Sequence, residues 1–274
     1  MSVSVMMFTL MDAVSKYLTQ FYPVTYILWA RFLTQTLLLM SVLSLRVGPA
    51  FLRTTCPRIQ LVRGLLLPLA SICFVSATKH MPIAEASCIT FIGPLLVTLL
   101  SVTLLKEKVQ RSQWAAILTG FIGVLIIIRP GTGVFTWASL LPLATAMCMA
   151  VYQVLTRRIA GTESAYTSIV YPGLIGTLIF SLTLPSSWTV PQTAWHVALL
   201  GLTGLISAAS HLIFIKAFEF APASRLAPFS YSQMVWATTV GYLVFGNFPD
   251  ALTLVGIAIL AAGGIYLAVI QRQS

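Results

Sequence analysis

Asp12 and Arg31 are opposite charges placed symmetrically about the centre of a turn near residues 20–23, each within an apolar run. If both runs are helices crossing a bilayer, a rise of about 1.5 Å per residue puts both charges about 10 Å or more beneath the same surface. An ionisable side chain at the bilayer centre costs roughly 2.5–3.5 kcal/mol, so each needs a partner or a task. The spacing predicts an Asp12–Arg31 ion pair between the first two helices. Lys16, one helical turn above Asp12, would share its carboxylate. Such a pair either fixes helix register or binds a charged substrate. A zwitterion or an anion would compete for Arg31, and a cation for Asp12.

The same mirror arithmetic picks out three more pairs. Lys79 and Glu85 are symmetric about Pro82, and Glu219 and Arg225 about Pro222, with the signs exchanged. These pairs are either two gates that open alternately or ordinary loop-end bridges worth about 0–1 kcal/mol. His211 lies opposite Gln233 about Pro222. It is either a packed, satisfied histidine or a group for proton coupling or a substrate hydrogen bond. Lys216 is expected to snorkel and His196 to sit at the interface. Tyr26, Trp29, Phe91, Tyr152, Tyr231 and Trp236 fall within spans, where they pack the core or form stacking walls for an organic substrate. Pro94, directly after Gly93, lacks a backbone donor and is expected to kink its helix as a hinge or cavity wall.

The elements that must carry these groups are apolar spans. Of 274 residues 58% are hydrophobic and 8% charged, where a soluble domain carries about 25% charge. A bilayer crossing needs about 20 apolar residues. Ten candidates lie near 2–19, 24–45, 62–79, 84–104, 113–129, 135–156, 165–184, 196–218, 224–246 and 251–270. The chain also matches itself at an offset of 140: Gly64 falls on Gly204, Phe74 on Phe214, Pro82 on Pro222 and Gly123 on Gly263. Five spans per half is an odd number, so the second copy must be upside down, as in secondary transporters. The expected fold is an all-α polytopic membrane protein of ten transmembrane helices in two inverted five-helix repeats. The halves, 1–130 and 134–274, are joined by the turn Gly131-Thr-Gly133 and form one integral fold.

Lys and Arg set the orientation. With the N-terminus cytoplasmic, Arg46, Arg53, Arg58, Arg63, Lys106, Lys108, Arg111, Arg157, Arg158, Lys216, Arg225 and Arg272 fall inside, against Lys16, Arg31, Lys79 and Arg129 outside. The expectation is a multi-pass protein of the bacterial inner membrane with both termini cytoplasmic. The first run has no basic leader and no small-residue cleavage site before Asp12, so it reads as a retained helix, and its abrupt start is compatible with a few preceding residues.

Several functions are excluded. The net charge of +10 is dispersed between spans, which fits cytoplasmic loops beside anionic lipid and excludes nucleic acid as a partner. Cys56, Cys73, Cys88 and Cys148 have neither metal nor redox spacing. No His/Asp cluster offers metal ligands, and no cofactor is expected. Ser210 and His211 are adjacent and point to different helix faces, and no Gly-x-Ser-x-Gly stretch is present, so the chain is not expected to be an enzyme. No phosphate-binding loop is present, so ATP is not a direct energy source.

Asp12-Ala-Val-Ser-Lys16, Trp29-Ala-Arg31, Pro94, Glu107, Phe229-Ser-Tyr-Ser-Gln-Met-Val-Trp-Ala237 and Gly241-Tyr-Leu-Val-Phe-Gly246 resemble the drug/metabolite transporter superfamily, EamA type. The resemblance covers nearly the whole chain. It implies a ten-helix carrier with alternating access and a central cavity walled by spans one, three, four, six, eight and nine. The chain departs from the pattern at Asn247, where the second repeat often has an acid, and at Met234, where it often has proline. Members with this first span resemble carriers of amino acids, riboflavin or S-adenosylmethionine. The expected function is secondary transport of a small polar or amphipathic metabolite, with protons as a candidate coupling partner and lipids as surroundings. The alternatives are a lipid flippase-like protein or a non-transporting scaffold. Oligomeric state is open.

Overall fold

A computed structural model describes residues 1–46, 48–106, 109–128, 137–226, 229–230, 232–246 and 250–270. Its first half contains α1 (Ser2–Leu18), α2 (Val24–Arg46), α3 (Pro57–His80), α4 (Ile83–Thr90), α5 (Gly93–Leu104) and α6 (Arg111–Ile128). The second half contains α7 (Leu140–Ile159), α8 (Ala165–Ser187), α9 (Ala194–Phe220), α10 (Ala223–Leu226), α11 (Ser232–Phe245) and α12 (Ala251–Ile270). With α4–α5 and α10–α11 each taken as one interrupted span, the chain makes ten crossings. Six stretches meet length and hydropathy requirements for spanning among the described residues, including Pro57–His80, Ile83–Leu104 and Ala194–Phe220. The protein is a multi-pass, all-helical membrane protein.

Contacts between helices repeat when the halves are exchanged. α3 packs on α7 as its counterpart α9 packs on α1, and α2 packs on α9 as α8 packs on α3. The equivalent helices α2 and α8 pack on each other, as do α6 and α12. The direction of pairing demonstrates the inversion. Trp29 meets Ser181, Phe32 meets Phe180 and Thr36 meets Thr177, so residue numbers rise along α2 as they fall along α8. Two helices with the same place in their repeats are therefore antiparallel. By contrast Gln60 meets Ser168 and Gly64 meets Ile175, so α3 and α8 run parallel.

Small residues allow this packing, because lipid supplies little hydrophobic drive between helices and close van der Waals fit must do the work. Gly64 and Gly204 are counterparts across the repeat. A Cβ on Gly64 would overlap Ile175 Cδ1, and one on Gly204 would lie 2.5 Å from Thr34 Cβ and 2.8 Å from the Arg31 carbonyl oxygen.

The fourth span differs from the uniform kinked helix expected at Pro94. It breaks: Phe91 N and Ile92 N bond back to Cys88 O and Ile89 O with three-residue spacing, and α5 restarts at Gly93 with Pro94 in its first turn. A proline in the first turn removes a donor that would be unused there. The ninth span is likewise divided between α10 and α11, with Phe229 and Ser230 between them outside α-helix. The third span begins at Pro57 rather than at 62, with proline at its N-terminus. That places Arg63 inside the helix bundle rather than at its mouth.

Candidate functional site

A cavity of about 140 Å³ lies where the two halves meet. Its lining comes from α1, α2, α3, α7, α9 and both interrupted spans. Asp12, Arg31, Phe91, Pro94, His211 and Gln233 all face it. Its walls are otherwise largely apolar, with Phe8, Phe74, Phe214 and Met149 beside polar Thr145 and Gln153. Both interruptions open onto it, through Thr90, Phe91 and Gly93 on one side and Ser230 and Gln233 on the other. Irregular backbone at membrane depth is tolerated where it is buried in protein or lines such a cavity.

Asp12 and Arg31 are 8% and 2% exposed. They line the same cavity, and each lies within the other's electrostatic range. The expected ion pair is nevertheless not closed. Among the described residues Arg31 makes one side-chain hydrogen bond, from Nη1 to Met11 Sδ at 3.8 Å, and its Nε has no partner. Its guanidinium also lies 5.0 Å from the Phe32 ring centre. Similar distance from the turn brought the two groups to one cavity, but each helix's rotation directs them into open space rather than onto each other.

Lys16 does not share Asp12. Its Nζ donates to the Met81 carbonyl at 3.0 Å and lies 5.2 Å from the Phe245 ring centre. One turn of rise also brings a small rotation, and the lysine stem is long enough to follow it to the turn between α3 and α4. His211 does not use Gln233 as its polar partner. His211 Nδ1 is 3.0 Å from the Ser207 carbonyl, which can only accept, so that nitrogen carries the proton. Phe8 packs edge-on at 4.6 Å. Ser207 Oγ donates to Gln35 Oε1 at 2.6 Å, which ties α9 to α2.

The two expected gate pairs are absent. Lys79, Glu85, Glu219 and Arg225 are exposed, and neither pair joins among the described residues. Solvated charges gain little from pairing, and residues either side of a proline turn leave their helices in different directions. Glu85 lies instead within electrostatic range of Lys16.

Trp29 does not line the cavity. Its Nε1 donates to Ser181 Oγ at 3.1 Å and its ring stacks on Tyr26 at 5.8 Å, on the α8 side. Trp236 is half-buried outside the lining residues. Tyr231, Glu107 and Asn247 lie outside the described residues. Lys216 is exposed, 5.5 Å from the Tyr166 ring centre.

Tyr152 is fully buried but serves another centre, which the sequence reading missed. Arg63 is 0% exposed. Its Nε donates to Thr156 Oγ1 at 3.0 Å, Nη1 to Gln60 Oε1 at 2.6 Å and Nη2 to the Tyr152 hydroxyl at 3.3 Å. Gln60 Nε2 in turn donates to Glu163 Oε2 at 3.4 Å. Glu163 Oε1 accepts from both the backbone N–H and the hydroxyl of Thr55, each at 2.6 Å. Burial alone would push the Glu163 carboxyl up, but hydrogen bonds from Thr55, Thr54 and Gln60 outweigh it and hold it below its ordinary 4.5. The network binds α3 of the first half to α7 and the α7–α8 turn of the second. The available signal was Gln60 and Arg63 one helical turn apart, close before an apolar run.

A matching bracket lies at the opposite ends of the helices. The Tyr22 hydroxyl accepts from Gln192 N at 2.9 Å and lies 2.8 Å from His196 Nδ1. Tyr22 is in the first half's turn and His196 on α9, so this contact corresponds to Glu163 on Thr55 under exchange of the halves. His196 is buried, at 5% exposure, near the start of α9.

The sequence model described as the EamA-like transporter family matches residues 1–129 and again 136–270. An S-adenosylmethionine uptake transporter of Rickettsia prowazekii is 25% identical over 265 residues, which is 96% of this chain and 89% of that protein. A riboflavin transporter of Vibrio cholerae is 34% identical over 66% of this chain and 60% of its own length. A pseudopaline exporter of Pseudomonas aeruginosa is 28% identical over 95% of this chain and 92% of its own length. These relatives are named as transporters and not as enzymes. One crystal structure superposes with a TM-score of 0.75 over 99% of this chain and 98% of its own at 20% identity, a likeness of fold alone.

Proposed function

We propose that this chain, which belongs to the EamA-like transporter family, is a secondary carrier that moves a small polar or amphipathic organic metabolite by alternating access. The observation that carries the reading is the cavity itself. It lies between the halves, both interrupted spans open onto it, and it holds buried, unpaired Asp12 and Arg31 within apolar walls. Such groups are costly unless a ligand completes them. The relatives named for S-adenosylmethionine, riboflavin and pseudopaline point to the same coarse class of cargo.

In this reading each half, 1–130 and 134–274, rocks against the other about the cavity. The Arg63–Glu163 network and the Tyr22–His196 contact are the brackets at opposite faces, in place of the exposed loop-end charges. A proton or substrate gradient supplies the energy, and His211, beside the cavity, is the candidate proton carrier. The excess of Lys and Arg on one side supports a cytoplasmic-membrane protein with both termini inside.

The test is flux into liposomes containing the purified protein, with amino acids, S-adenosylmethionine, flavins, amines, organic acids and nucleosides as labelled cargo. Saturable uptake of one class is expected. Movement of fluorescent lipid without saturable uptake of any cargo would replace the carrier with a lipid-moving protein.

A further inference from the structure

We infer that the Tyr22–His196 contact is a pH-sensitive outer gate: protonation of His196 by acid on the outer side releases it, while the Arg63–Glu163 network holds the inner face shut. This rests on the carrier reading, in which these contacts are the two brackets, and adds regulation to it. The hydrogen-bond roles carry the inference. The Gln192 N–H can only donate, so it takes a lone pair of the Tyr22 hydroxyl at 2.9 Å. The hydroxyl's one proton then has His196 Nδ1, 2.8 Å away, as its acceptor. Nδ1 is therefore the bare nitrogen, and Nε2 carries the ring proton. A second proton on the ring turns Nδ1 into a donor. Two donors then face each other, and the phenol must give up that bond. Both side chains are buried, so water replaces the lost partner only when the contact opens.

No anion stands by to receive an imidazolium. The His196 ring lies against Phe21 and Tyr17, with ring centres 4.5 and 6.3 Å away, and Tyr22 packs on Tyr26. The titratable groups around it from α1, the first turn and α2 are thus the phenols of Tyr17, Tyr22 and Tyr26, and a phenol is neutral at physiological pH. Residues 17–30 and 165–210 cover the first turn, the start of α2, α8, the segment before α9 and the first part of α9, and they contain no Asp, Glu, Lys or Arg. The charged groups of α1 are engaged elsewhere, Asp12 at the central cavity and Lys16 at the Met81 carbonyl. A charged His196 would be buried without a counter-ion, a costly state. The inner bracket lacks this weakness. Under the 140-residue offset His196 falls on Cys56 and Glu163 on Pro23, so the brackets share places in the repeats but not side chains. Despite its burial, Glu163 stays charged in mild acid, because hydrogen bonds from Thr55, Thr54 and Gln60 hold its carboxyl below 4.5.

The experiment reads the reaction of a buried cysteine with N-ethylmaleimide in the purified protein in detergent, where both faces meet one pH and no proton gradient exists. Thr203 is fully buried, seven residues beyond His196 on the same face of α9 and about 10 Å deeper. Its hydroxyl donates to the Leu200 carbonyl of its own helix, so Thr203→Cys is a mild change. The labelling rate of T203C in a cysteine-free background is divided at each pH by that of the unfolded protein, which removes the thiol's own titration. This ratio is expected to rise about two- to tenfold from about pH 8 to about pH 5.5, the reach of one hydrogen bond. His196→Asn keeps an acceptor for Tyr22 but does not titrate, and it should abolish the rise. Tyr22→Phe should give fast labelling at both pH values. A flat ratio with His196 in place overturns the inference, as does an equal rise in H196N. If H196N fails to fold, Tyr22→Phe decides, because a rise that persists without the phenol also overturns it. A flat ratio with saturable liposome flux removes the switch and leaves the carrier, whereas a flat ratio without saturable flux of any cargo removes both.

Discussion

Glu163 occupies a short turn and still governs a helix of the other half, because its carboxylate caps Thr55 just ahead of α3 and reaches Gln60 within it. The hydrogen bonds favour its charged form and lower its folded-state pKa. Stability gained this way is complete above the ordinary value of 4.5 and is lost as pH falls through the lowered one. Glu163→Gln should therefore lower the melting temperature near neutral pH, and its curve should converge with that of the unaltered protein at acid pH. An unchanged gap between the two curves across that range would exclude the charge as the source. Arg63 shows the same economy: one guanidinium satisfies three acceptors on two helices. At Asp12 and Arg31 hydrogen bonding is incomplete, which is why the proposed binding site centres on them.

At the scale of elements, the close crossings of α3 with α8 and of α9 with α2 depend on two equivalent glycines with unequal surroundings. The atom facing Gly64 is the tip of Ile175, which can rotate away. Gly204 faces the stiff β-branched carbon of Thr34 and the Arg31 backbone. Alanine in a helix gains about 1 kcal/mol over glycine in intrinsic propensity, but overpacking costs about 1–3 kcal/mol. Gly204→Ala should thus be clearly destabilising and Gly64→Ala close to neutral, compared by unfolding in detergent. The same melting point for both would mean that α2 and α9 separate as easily as Ile175 turns. Because Arg31 forms part of the contact, Gly204→Ala should also weaken cargo binding.

The whole molecule is two copies of one five-span unit, antiparallel across the membrane and interlocked through equivalent contacts. The proposed orientation follows from twelve of sixteen basic residues falling on one side. It has a direct check. In a cysteine-free background, Gln192→Cys should react with an impermeant maleimide in intact cells, and Arg53→Cys only after permeabilisation. Both sites are exposed, at opposite ends of the bundle. The reverse pattern would invert the assignment of inner and outer faces, and labelling of both in intact cells would contradict their separation by the membrane.

The amino-acid sequence by itself determined span number, inversion of the repeats and which polar groups lie far from the span ends. These are one-dimensional properties: a bilayer sorts residues by hydropathy, and distance from a turn sets depth. Asp12, Arg31, His211 and Gln233 were legible as cavity-depth residues for that reason. Only the tertiary structure decided which of them meet. Contact depends on helix rotation and on where a helix begins, and both are set by packing between segments far apart in the chain. Hence Lys16 turned to Met81, Trp29 turned to Ser181, the proline-flanking charges stayed apart, and Arg63 became the centre of a buried network once α3 began at Pro57 and α7 came alongside it.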